Sequence, residues 1–81
     1  MWRTFRGTIS GAGLERADID VNFEETAGHP PPPRSGWFAW TGTHQFRIGD
    51  QYVVEEGGTR RSYHVAIVGT GPGQRVEFRT V

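Results

Sequence analysis

The 81-residue chain contains neither cysteine nor lysine. Without cysteine it has no disulfides, thiolate zinc sites or cysteine nucleophile. The same absence fits a cytoplasmic location. All nine basic residues are arginine, which reads as the codon bias of a GC-rich bacterial genome. An excess of either charge is also missing: nine basic residues face nine acidic ones. Phosphate binding feeds on clustered positive charge. The nearest approach, Arg60 and Arg61 with Arg75 and Arg79, is interleaved with Glu55, Glu56 and Glu77. Nucleic acid is therefore not an expected partner. No segment reaches the roughly 18 apolar residues of a spanning helix. The opening "MWRTFRGTIS" lacks the continuous apolar stretch of a signal peptide or anchor, so no membrane association is expected. Helical periodicity is absent from every window, and no helix is expected.

What the chain does have is short strand-like runs separated by its twelve glycines and five prolines. Trp2 to Ser10 is the first run, and the "GAG" at 11–13 permits a turn with positive φ. Ala17 to Glu25 alternates Ala17, Ile19, Val21 and Phe23 with Asp18, Asp20, Asn22 and Glu24. Period two with one apolar face predicts a strand lying against a core. Pro30 to Pro33 cannot donate to a ladder and favours polyproline II. Ser35 to Thr41 carries Trp37, Phe38 and Trp40. In the short segment "THQFRIGD", His44, Phe46 and Ile48 share one parity. Gln51 to Glu56 is a fourth strand, and Gly57-Gly58 a two-residue hairpin signal. Arg60 to Val68 places Tyr63, Val65 and Ile67 inward. Gln74 to Val81 places Val76 and Phe78 inward and Arg75, Glu77 and Arg79 outward.

Six antiparallel strands on short turns hide their edges by curling. The expected fold is all-β: one domain over 1–81, a small antiparallel six-stranded barrel of SH3-like or meander type without a substantial helix. A domain of this size buries only about 60–65% of the surface its unfolded chain exposes. That leaves room for one core and no deep enclosed active site.

Over the last 33 residues, Gly49, Asp50, Tyr52, Val54, Gly58, Arg60, Val65, Ile67, Val76 and Phe78 form a pattern. It consists of Gly-Asp, an aromatic strand, a Gly-containing turn with Arg, a β-branched strand and Val-x-Phe. This resembles small bacterial all-β domains of uncharacterised function. Gly57-Gly58-Thr59 stands where that pattern has an acidic turn residue. The resemblance implies a fold and no catalytic residue.

Chemical constellations are sparse. Asp18 and Asp20 lie two apart on one strand, about 6.6–7 Å between Cα atoms, and read as a solvated acidic face. His29, His44 and His64 have no ligand spacing of the HxH or HExxH kind. Ser62, His64 and Asp50 lack a nucleophile elbow. "GTGPG" at 69–73 lacks the helix and Lys-Ser/Thr of a phosphate loop. No catalytic residue, metal or cofactor is expected, and the chain reads as a non-enzyme.

The aromatic cluster beside the prolines is the remaining feature. Trp37 and Trp40 have opposite parity, so a regular strand turns them to opposite faces. Either Trp37 packs under Pro31 to Pro33 and closes a barrel end, or a large aromatic stays exposed for a partner. Trp2, on the parity opposite Phe5 and Ile9, could join it. The candidate partner-binding residues are Trp37 and Trp40 with Arg34, and His44 at the rim. Arg34 directly follows Pro33, off the usual offset of an SH3 ligand, so the prolines read as a stiff spacer. The expected function is a protein-interaction or self-association module, as a homodimer or with another protein. The alternative is small-molecule or peptide binding in a groove between the proline loop and the barrel mouth.

Overall fold

The computed structural model describes residues 1–25, 28, 32–71 and 74–81. Among these are six strands: β1 (Trp2–Gly11), β2 (Leu14–Glu24), β3 (Ser35–Ala39), β4 (Gln51–Glu56), β5 (Ser62–Gly71) and β6 (Arg75–Thr80). They form a closed antiparallel barrel in the order β1-β2-β3-β6-β5-β4. Strands β1 to β3 make one meander and β4 to β6 a second. The barrel closes at two seams, β1 with β4 and β3 with β6. The strand order is therefore two meanders joined, not one continuous up-and-down run. Segment 40–50 makes the join by crossing the upper end, where β3 finishes and β4 starts.

Period two explains the interior. Ile9, Ile19, Val21, Phe23, Phe38, Tyr52, Val54, Tyr63, Val65, Ile67, Val76 and Phe78 are buried together. Every residue placed inward on the fifth and sixth runs is among them. No polar or charged residue is buried among the described residues. The outward placement of Asp18, Asp20 and His64 also holds, since all three are exposed. At the β1–β4 seam Gly7 faces Glu56, and a Cβ there would overlap the Glu55 carbonyl oxygen. The β1–β2 turn takes φ +129° at Gly11, +46° at Ala12 and +84° at Gly13, which the two glycines make accessible.

Strand limits differ from the sequence reading: β2 starts at Leu14, three residues before Ala17, and the β1 and β6 limits shift by one residue. Strand β3 ends at Ala39, two residues before Thr41, because Trp40 turns over the barrel end. Strand β5 begins at Ser62 and runs to Gly71, so the first three residues of "GTGPG" are strand. A bulge between Ile67 and Gly69 sets two β5 residues against Glu77 and carries this extension. Gly57-Gly58 is not a two-residue hairpin. Glu56 N–H donates to the Arg61 carbonyl at 3.0 Å across residues 57–60. The Thr59 hydroxyl bridges that loop, donating to the Glu56 carbonyl and accepting from Arg61 N–H, both at 3.0 Å. No helix of the described residues is long and apolar enough to cross a membrane.

Candidate functional site

The barrel offers three surfaces, and the four residues singled out in the sequence are spread over all of them. At the upper end Trp40 and His44 come together. Trp40 shares the inward parity of Phe38, so its ring drops onto the core edge. It meets Phe46 at 5.1 Å and 89°. The Trp40 indole N–H donates to the His44 carbonyl at 3.1 Å. His44 Nε2 lies 2.8 Å from the Tyr52 hydroxyl, and its ring stands edge-on to Phe46 at 4.9 Å. Burial, and secondarily the charge of Asp50, push the Tyr52 phenol above its ordinary range. The phenol thus keeps its proton and can donate it to a neutral imidazole. These side chains form a plug made from segment 40–50.

The lower end is closed by polar groups. The inward parity of each strand runs out there on a polar or amphipathic residue: Arg3, Glu25, Arg34, Glu56, Tyr63 and Thr80. Arg3 Nη2 donates to Glu56 Oε1 at 2.6 Å, and Arg3 Nε to Glu25 Oε1 at 2.7 Å. Tyr63 donates to Glu56 Oε1 at 3.3 Å. Arg34 Nη1 lies 3.6 Å from Glu25 Oε2. Its guanidinium covers Phe23 at 5.3 Å and Tyr63 at 5.1 Å. Two arginines and two glutamates balance. Hydrogen bonding by Arg3 holds both carboxyls below the ordinary glutamate range, against the opposing effect of burial. Beside this ring a groove of about 370 Å³ is bordered by Pro32, Pro33, Arg34, Tyr63, His64 and Thr80, with Ser62 and Val81.

Trp37 occupies neither end. It pairs across the sheet with Asn22 and Glu77 on the outer wall. Arg75 lies over its ring at 4.2 Å. Of the prolines expected to cover it, Pro31 lies outside the described residues, as does Pro30, while Pro32 and Pro33 border the lower groove. Trp2 does join Trp37, as its parity suggested. Trp2 is 54% exposed and Val68 44% exposed. With Ser35, Gly36, Glu77 and Arg79 they border a shallow groove of about 210 Å³. A single surface of Trp37, Trp40, Arg34 and His44 is thus not formed. Opposite parity separates the tryptophans by the thickness of the sheet.

Sequence reasoning missed Val68, Arg75 and Arg79 as neighbours of Trp37. Arg75 and Arg79 meet it through the β3–β6 pairing, a long-range register that no local pattern displays. Val68 faces out by the same period two that turns Tyr63, Val65 and Ile67 inward, but it reaches the Trp37 groove only across β6. No group of three metal-ligating side chains occurs among the described residues; His29 lies outside them. Asp20 is paired with Arg6 at 3.1 Å on open surface. Nothing described converges on a reacting centre. No family model, curated protein or solved structure matches the chain.

Proposed function

We propose that the protein is a non-enzymatic interaction module of the cytoplasm whose contact surface is the outer wall around Trp37 and Trp2. One observation carries this reading. Trp2, Trp37 and Val68 line one groove on the outside of a barrel whose buried core does not include them. Trp and Arg are the residues that most often anchor interfaces. Each strand has two neighbours in the closed barrel, so side chains are its main contact surface, and on this wall Trp2 and Val68 are exposed. Trp40, His44 and Arg34 then support the two ends of the barrel and not the contact itself.

Light scattering of the purified chain and of its complexes tests the reading. Trp2→Ala and Trp37→Ala should lower the mass of the assembly while the variants stay folded. A strictly monomeric wild type that captures nothing would sink it. The lower groove supports a second reading, small-molecule or peptide binding beside Pro32 and Pro33. That reading needs Thr80→Val or His64→Ala to weaken a ligand measured by titration calorimetry, with Trp37→Ala having no effect.

A further inference from the structure

We propose that the Trp2–Trp37 groove receives a polyproline segment, and that the occupant is the tetraproline stretch, residues 30–33, of a second copy of the chain. This rests on the outer wall being the contact surface. The first support is the chemistry of the two rings. Among the described residues neither the Trp2 nor the Trp37 indole N–H has a hydrogen-bond partner, whereas that of Trp40 is bound to His44. A polyproline helix has no internal hydrogen bonds, so its carbonyls are free to accept, and its rings pack on aromatic faces. The exposed indole of Trp2 and the half-buried one of Trp37, lining one groove, meet both demands.

Trp2 and Trp37 line the groove together with Ser35 and Gly36, which add little side-chain bulk to it. Arg75 stacks on Trp37 at 4.2 Å and fixes the indole plane. Arg75 Nε is itself held by Glu77 Oε1 at 3.2 Å. These two rim charges satisfy one another, so the groove selects by ring packing and hydrogen bonding more than by charge.

The occupant is written in the chain. The sequence holds four consecutive prolines at 30–33; proline restricts φ, and a ligand restricted beforehand loses little entropy on docking. Pro32 and Pro33 are exposed and border the lower groove, not the Trp2–Trp37 groove. The described prolines of one copy therefore leave its own groove open to another copy. The formal net charge is zero, so no long-range repulsion opposes pairing. Reciprocal docking of two copies closes a two-fold dimer.

Sedimentation equilibrium with light scattering decides the matter. The wild type is expected to pass from the 9.1 kDa monomer to twice that mass as concentration rises. The Pro32→Ala/Pro33→Ala double variant and Trp37→Ala should each weaken the dimer by about thirtyfold or more. Trp2→Ala provides a second groove variant should Trp37→Ala fail to fold, and circular dichroism checks folding in each. A synthetic peptide of residues 27–35 should shift wild-type tryptophan emission and split the dimer. The same peptide with its prolines replaced by alanine should do neither. A dimer lost in the tryptophan variants but untouched by proline substitution and peptide overturns the proline inference and leaves the contact surface standing. A peptide that binds a wild type which never dimerises overturns the second-copy occupant. A monomer insensitive to the peptide, with no complex lost on Trp2 or Trp37 substitution, removes both readings.

Discussion

Arg3 shows what a single residue does in a barrel this small. It sits on the inward parity of β1, where the next inward positions are Phe5, Gly7 and Ile9. An arginine there would bury an uncompensated charge, but at the strand end its guanidinium reaches Glu25 and Glu56 at once. Its carbon stem and guanidinium face cover Phe5 and Phe23 at 5.0 and 5.5 Å. The pairing has a pH signature. Both glutamates have folded pKa values below their unfolded ones. Their contribution is complete above the unfolded glutamate value of about 4.3 and is lost as pH falls through it towards the lower folded value. Glu56→Gln keeps the shape and removes the charge. It should cost about 1–3 kcal/mol at pH 7, the range for a hydrogen bond to a charged group. Chemical denaturation of wild type and variant from pH 7 to pH 3 should show the gap closing below about pH 4.3. A gap that stays constant over that range would mean the pairing contributes little. The core sets a larger scale. Phe38 is fully buried, and Phe38→Ala should cost about 3–5 kcal/mol. Calorimetry that finds the variant as stable as wild type would contradict the assigned interior.

At the scale of elements, the two tryptophans flanking Phe38 and Ala39 part company. Trp40 belongs to the crossing segment 40–50, whose place over the barrel end depends on side chains and a few backbone bonds. Examples are Trp40 N–H to the Gln74 carbonyl at 2.8 Å and Gly49 N–H to Ile67 at 2.9 Å. Trp40 is only half-buried. Trp40→Ala should therefore cost less than the about 3–5 kcal/mol of a buried tryptophan, roughly 2 kcal/mol. Trp37→Ala, on the outer wall and outside the core cluster, loses the stacked Arg75 and should cost about 1 kcal/mol. Urea midpoints compare them directly, and equal losses would mean that the plug is no part of the fold's support. The strands themselves were legible because period two is a local signal: Ile19, Val21 and Phe23 announce their own face. The polar ring at the lower end was half legible. Arg3 lies two before Phe5, Glu25 two after Phe23, Arg34 two before Gly36 and Glu56 two after Val54. Each continues the inward parity of its strand, yet a charged residue at a strand end reads as the start of solvent. Only closure brings the four together.

For the whole molecule, closure is the property from which the rest follows. Strands β1 to β3 and β4 to β6 could each form locally, but neither triplet has a partner for its outer strands. The β1–β4 and β3–β6 seams supply those partners from distant parts of the chain, and no strand is left as an edge. Neither seam is visible in composition or periodicity, which is why the sequence predicts a barrel without its strand order. The β1–β4 seam leaves no room at Gly7, where a Cβ would meet the Glu55 carbonyl oxygen, part of the backbone. Gly7→Ala should therefore pry the seam apart, at about 1–3 kcal/mol or more by the standard of overpacked sites. Native-state hydrogen exchange distinguishes this from a local defect. In a cooperative closed barrel, seam amides such as those of Thr8 and Glu55 open only when the whole barrel opens. They should match the protection of the β1–β2 and β4–β5 hairpin amides in the wild type. In Gly7→Ala all of these should fall together by the same amount. If the seam amides of the wild type exchange much faster than the hairpin amides, the two meanders open against each other as separate units, and the closed barrel is not a single cooperative structure.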